Sequence, residues 1–224
     1  MAGGVSQSFT DREARASPST RRGRSSGGID KANLLRELRE EATGLRKAAA
    51  LDVLHIVEGG WGPREVLAHI TLWAVQATEH LRLHLPPQDY GNDRIWRAAM
   101  FGTFNTAFEY LSDQSAEAAR RSGWEAVARA GVVLPLSTED TPEEHLRVDD
   151  AFNAAAVELV RSRPFQDVLR LTERAHERLL RVLEEAPSEE YANDGQLYLR
   201  LLRIIQHHGE HRKELEAARI RMLA

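Results

Sequence analysis

Apolar residues recur every three or four positions along most of the chain, which is the spacing of one face of an α-helix. A first predicted helix begins near Asp30, a suitable N-cap, and its apolar stripe comprises Leu34, Leu38, Ala42, Leu45 and Ala49. A second predicted helix begins at Pro63 and runs to about Leu85, where Pro86 and Pro87 stop it. Only the short run 132–134 is typical of a β-strand, so the pattern predicts an all-α protein.

The rest of the chain continues the helical pattern. Residues 88–140 are predicted to form one or two helices, with a loop over 131–140. Thr141 and Glu144 have the spacing of a capping box, so a short helix is expected to follow as far as about Val160. Pro164 opens a long helix that Pro187 ends, and the last predicted helix covers residues 196–222.

Composition narrows the classes of protein that this chain can be. Its 224 residues are 42% hydrophobic, which is enough for one domain with a sizeable core. Cysteine is absent, so any metal must be held by His, Asp or Glu. The sequence has neither a run of apolar residues that could span a bilayer nor a signal-peptide pattern. We therefore expect a cytoplasmic protein with no membrane partner.

The N-terminal segment differs from the rest of the chain. Residues 1–28 are rich in Ser, Gly and Arg and poor in large apolar residues, so we predict a disordered basic tail, with a folded domain over 29–224. The net charge of the whole chain, −4, makes a nucleic-acid partner an unfavoured interpretation. A basic arm that recruits nucleic acid through the tail arginines is the alternative.

The candidate chemistry lies in histidines of two predicted helices. His207 and His211 are four residues apart, so they share a helix face and can bind one metal ion. His208 is three residues from His211 and offers an alternative pairing. His69 lies on or beside the apolar face of the second helix. Three histidine ligands would leave coordination positions open, as in catalytic sites, and would suit Zn²⁺, Ni²⁺, Fe²⁺ or Co²⁺.

Other polar residues have two interpretations each. Asn153 either points its amide into a pocket or serves as a cap or exposed residue. Glu65 is expected to complement the dipole of the second helix rather than act as a general base. Glu210 and Glu214 are expected to pair with basic side chains in solvent rather than orient a ligand histidine. His80 is expected on a solvated face.

Two segments resemble the DinB-like superfamily. Residues 61–73, Trp-Gly-Pro-Arg-Glu-Val-Leu-Ala-His-Ile-Thr-Leu-Trp, are similar to its second-helix signature, and His207-x-x-x-His211-Arg212 is similar to its last-helix signature. The stretch from Asp150 to Glu177 resembles the ClbS/DfsB-type branch. Many relatives continue the last motif with Gly-Gln, where this chain has Lys-Glu.

This resemblance implies a fold and a metal site. The fold is an up-down-down-up four-helix bundle, with residues 88–147 as a helical insertion between its second and third helices. The matching histidines of the superfamily bind a divalent metal, commonly zinc or nickel. Carried over to this chain, those ligands are His69, His207 and His211.

The resemblance also implies a metal-dependent enzyme that acts on a small electrophilic molecule, as a hydrolase or thiol transferase of the detoxification type. The metal would act as a Lewis acid that activates water or a thiol. No catalytic residue beyond the ligands is assigned. The expected partners are a small-molecule substrate and a second copy of the chain in a homodimer. The alternative is a non-catalytic small-molecule-binding or structural protein whose histidines pack and form hydrogen bonds.

Overall fold

The computed structural model describes residues 31–50, 61–83, 94–132, 142–191 and 196–223. Within these ranges the chain is helical and contains no strand, which confirms the all-α prediction. None of the described helices combines the length and the apolar character that a membrane span requires. The helices are α1 (Lys31–Ala50), α2 (Pro63–Arg82), α3 (Arg94–Leu111), α4 (Ala116–Arg129), α5 (Pro142–Val160), α6 (Phe165–Glu185) and α7 (Gln196–Leu223), with a 3-10 turn (Ser188–Tyr191) before α7.

Several helix ends follow the signals in the sequence. α2 begins at Pro63, and the Glu65 carboxylate accepts a hydrogen bond of 2.9 Å from the backbone N–H of Gly62, as expected of a first-turn Glu. α6 begins directly after Pro164. α5 ends at Val160, as predicted, although with 19 residues it is not the short helix that was expected. The predicted tail over 1–28, the stop at Pro86 and Pro87, and the cap at Thr141 lie outside the described residues.

α2 is the most deeply packed of the helices that surround the histidines. It lies against α6, α3 and α5 and also contacts α1 and α7, whereas α1 packs mainly on α7 and α6. Fourteen of the twenty α2 residues are buried, so this helix has no broad solvent face. The prediction that His80 lies on a solvated face was therefore wrong, because its side chain is 1% exposed.

An aromatic cluster connects α3, α4 and α5 with α2. The rings of Phe104 and Phe152 stack with their centroids 3.6 Å apart, and Trp124 packs edge-on against Phe152 at 5.7 Å. Trp73 of α2 contacts Phe104 edge-on at 5.6 Å. Since Phe152 is anchored in this cluster, the next residue of α5, Asn153, is held beside α2 and its histidine.

Candidate metal centre

α2 and α7 bring three histidine side chains together. The Nε2 atom of His207 lies 2.9 Å from that of His69 and 3.0 Å from that of His211. One ring nitrogen from each of the three residues lies within 4.8 Å of the others. His69 and His211 are buried and His207 is partly buried. The three residues that the sequence selected as metal ligands therefore converge on one point.

The structure also distinguishes between the two histidine pairings on α7. His208 does not face His69: its Nε2 lies 2.8 Å from Nε2 of His176 on α6. Adjacent helical residues point about 100° apart, so His207 and His208 cannot both face α2. His207 and His211 therefore form the pair that meets His69.

Asn153 determines which nitrogen of the His69 ring carries the proton. Its Oδ1 lies 2.7 Å from Nδ1 of His69 and accepts a hydrogen bond of 2.8 Å from Nε1 of Trp73. Because the indole N–H can only donate, the atom that it meets must be the amide oxygen. That oxygen can only accept, so Nδ1 of His69 must carry the proton. The lone pair on Nε2 then faces the other two histidines. The interpretation of Asn153 as an exposed residue was wrong, because its side chain is buried against His69 and Trp73.

Glu214 orients the ring of His211. Its Oε2 lies 2.9 Å from Nδ1 of His211, so the carboxylate accepts a hydrogen bond from Nδ1, and Nε2 of the same ring faces His207. The prediction that Glu214 pairs with a basic side chain in solvent was therefore wrong. Glu210 instead accepts a hydrogen bond of 3.1 Å from Gln206 on the outside of α7. The spacing of His211 and Glu214, three residues apart on a helix, was the signal for this contact.

Burial keeps these rings in the form that binds metal. Burial lowers the pKa of His69 from 6.5 to about 3, and the neighbouring His211 lowers it further, although the hydrogen bond to Asn153 acts in the opposite direction. Burial also lowers the pKa of His207 well below its usual range, with His69 and His211 contributing. Both rings are therefore neutral at pH 7, and a neutral imidazole has a lone pair available for a metal.

The donor set fits one divalent ion. In a tetrahedral zinc site with Zn–N bonds of ~2.0–2.1 Å, neighbouring ligand nitrogens are about 3.3 Å apart. The two close Nε2 separations here, 2.9 and 3.0 Å, require adjustments of only a few tenths of an ångström. Three imidazole ligands suit Zn²⁺ or Ni²⁺ better than Mg²⁺ or Ca²⁺, which prefer oxygen ligands. Three protein ligands also leave room for a further ligand.

Tryptophans border the histidine cluster. The ring centroid of Trp61 lies 5.3 Å from that of His69, and that of Trp73 lies 6.4 Å away. Both indoles are partly buried against the core and form apolar walls beside the ligands. The guanidinium of Arg212 donates hydrogen bonds to Glu41 and Glu216 at 2.8 and 3.0 Å, so it is paired with acidic side chains.

Comparison of the chain with models of protein families, with curated proteins and with solved structures gave no match. The DinB-like resemblance therefore stays a prediction from the two histidine-bearing segments. What the fold and the site define is a helical protein with a buried three-histidine cluster that can hold a metal ion.

Two glutamates on α7 provide a matched test of the site. Glu214→Gln is expected to weaken zinc binding about 10–100-fold, because an amide is a poorer acceptor for the His211 Nδ1 proton and makes the ligand less basic. Glu210→Gln, four residues away and facing Gln206, is expected to leave the affinity unchanged. Competition with a coloured zinc chelator measures both. Equal affinities in the two variants would contradict the role of Glu214.

Proposed function

We propose that this chain is a metal-dependent enzyme of the DinB-like superfamily that acts on a small electrophilic molecule, as a hydrolase or thiol transferase. The observation that carries the proposal is the convergence of one ring nitrogen each from His69, His207 and His211 at a point between α2 and α7. Asn153 and Glu214 support the proposal, because they hold His69 and His211 with their Nε2 atoms toward this point.

The proposed bundle consists of α1, α2, α6 and α7, with α3, α4 and the start of α5 forming the insertion over 88–147. The packing of α1 on α7 and α6, and of α2 on α6, supports this grouping. The contact between α2 and α7 supports it as well, because the two helices that carry the superfamily motifs are neighbours. In this arrangement the candidate ligands belong to the bundle itself, where metal sites of helical bundles are commonly built.

The chain's own residues account for binding and orientation. A divalent ion held by the three histidines would supply Lewis-acid activation of the electrophile or of the attacking water or thiol. Asn153 and Glu214 hold the rings of His69 and His211 in the binding orientation. Trp61 and Trp73 limit the access of water to His69. Glu65 is not positioned as a general base, because its carboxylate is hydrogen-bonded to the backbone of Gly62.

The metal content of the protein tests this proposal. We expect near-stoichiometric zinc or nickel in protein purified without a histidine tag, and its loss in His211→Ala, measured by mass spectrometry. The loaded protein is then screened for hydrolysis of electrophilic rings and for transfer of low-molecular-weight thiols. Wild-type protein that takes up no metal, even after reconstitution with zinc and nickel, would contradict the metal centre. Bound metal without turnover in either screen would favour the non-catalytic alternative.

A further inference from the structure

A second set of buried histidines lies beside the candidate metal centre and joins α1, α6 and α7. His176 of α6 and His208 of α7 are 2% and 3% exposed, and their Nε2 atoms are 2.8 Å apart. The guanidinium of Arg46 on α1 lies 3.0 Å from Nδ1 of His176. Nδ1 of His208 lies 2.7 Å from the backbone oxygen of Ile204. The four groups form one continuous chain of hydrogen bonds.

The direction of these hydrogen bonds is fixed by the groups at the two ends of the series. A guanidinium can only donate, so Nδ1 of His176 must accept and its Nε2 must carry the proton. That proton is donated to Nε2 of His208. A carbonyl oxygen can only accept, so Nδ1 of His208 carries a proton and donates it to Ile204. Every nitrogen of both rings therefore has a partner, and both rings are neutral, in agreement with the burial that lowers the pKa of each.

This chain of hydrogen bonds occupies the only lone pair of the His208 ring. His208 is three residues from His211, so by spacing alone it could replace His207 as the second ligand on α7. With its Nε2 bound to the N–H of His176, it has no lone pair left for a metal. A rotation of α7 that carried His208 toward His69 would also break this buried hydrogen bond and leave two polar atoms unpaired.

A second metal site between His176 and His208 does not fit these residues. The cationic guanidinium of Arg46 faces the pair and opposes another cation. Within the described part of the chain, the cluster of three or more ligating side chains contains His69, His207 and His211 and neither of these two residues.

We propose that His176, oriented by Arg46, is a positioning residue for the metal centre: by binding His208 it selects His207 as the ligand that joins His211 and His69. His207 faces α2 and His208 faces α6, so α7 is held by polar contacts in two directions about 100° apart. This inference rests on the proposed metal site and adds to it the choice of ligand on α7.

Zinc affinity and the absorption spectrum of the Co²⁺-loaded protein test this role in three variants. His176→Leu frees the lone pair of His208, so we expect zinc affinity to fall about 10–100-fold and the Co²⁺ spectrum to change as His208 competes for coordination. The double variant His176→Leu/His208→Leu removes the competitor and replaces both polar partners by apolar side chains. Its affinity and spectrum are expected to return to within a few-fold of wild type.

Thr172→Val is the matched control for general damage to α6. Thr172 lies one turn before His176 and makes a buried hydrogen bond of 2.8 Å to Thr71 on α2, so its loss also removes a polar contact between helices. We expect zinc affinity and the Co²⁺ spectrum of this variant to match wild type. Wild-type behaviour of His176→Leu, or an equal loss in the single and double variants, would overturn the positioning role. Failure of wild-type protein to bind zinc would overturn the metal site itself, and this role with it.

Discussion

Between pH 6.5 and pH 5, the free energy of unfolding of the metal-free protein is expected to fall by about 3 kcal/mol. Burial lowers the pKa of His69 to about 3 and that of His208 to about 4, whereas an unfolded histidine titrates near 6.5. Below pH 6.5 the unfolded state therefore binds more protons than the folded state, and stability falls as the pH is lowered toward the folded pKa values. Over this range each of the two histidines contributes a loss of about 1.5 kcal/mol.

His176 and His207 act in the same direction, since burial lowers the pKa of both. Because small domains have only ~5–15 kcal/mol of stability in total, the metal-free protein is expected to unfold at a pH at which most carboxylates are still ionised. Denaturant titrations in the presence of a chelator, at several pH values between 7 and 5, measure how the free energy of unfolding changes with pH. His176→Leu/His208→Leu removes two of the four histidines whose pKa is lowered by burial, so it should make this change with pH smaller. A free energy that stays constant between pH 6.5 and pH 5 would contradict the buried neutral state.

The metal ligands could be predicted from sequence because helical periodicity indicates which side chains point toward the interior. His207 and His211 share a stripe with Ile204 and Leu215, and His69 lies among the apolar residues of α2, so all three were expected to face the interior. The same reasoning failed for His80, because it assumes one solvent-facing side per helix and α2 is covered by several neighbours.

The groups that orient the ligands could not be found in this way. Asn153 lies 84 residues from His69, and Arg46 lies 130 residues from His176. A stripe shows that a side chain points inward but not which helix it meets, so these pairs depend on packing. Glu214 differs, since its contact with His211 is local to α7. The superfamily membership, the homodimer and the limits of the insertion stay predictions.

Zinc at about 1,000 times its dissociation constant is expected to raise the free energy of unfolding of the wild-type protein by ~4 kcal/mol at pH 7.5, and to leave that of His69→Ala nearly unchanged. The ion binds the folded state, in which residues from α2 and α7 meet, and the unfolded chain does not hold those three imidazoles together. Without His69 the remaining two ligands both belong to α7, so binding them no longer joins two helices.

Thermal or denaturant unfolding with and without zinc measures this difference, and Glu210→Gln, whose carboxylate faces Gln206, should keep the full increment. An equal increment in wild type and His69→Ala would place the bound zinc elsewhere on the chain. The metal site links the pH dependence of the free energy of unfolding to its zinc dependence, because protons and metal bind the same nitrogen lone pairs. Burial holds the folded-state pKa of His69 at about 3 and lowers that of His207, so both rings stay neutral down to pH 5 and zinc should still raise the free energy of unfolding there, where the metal-free protein is least stable.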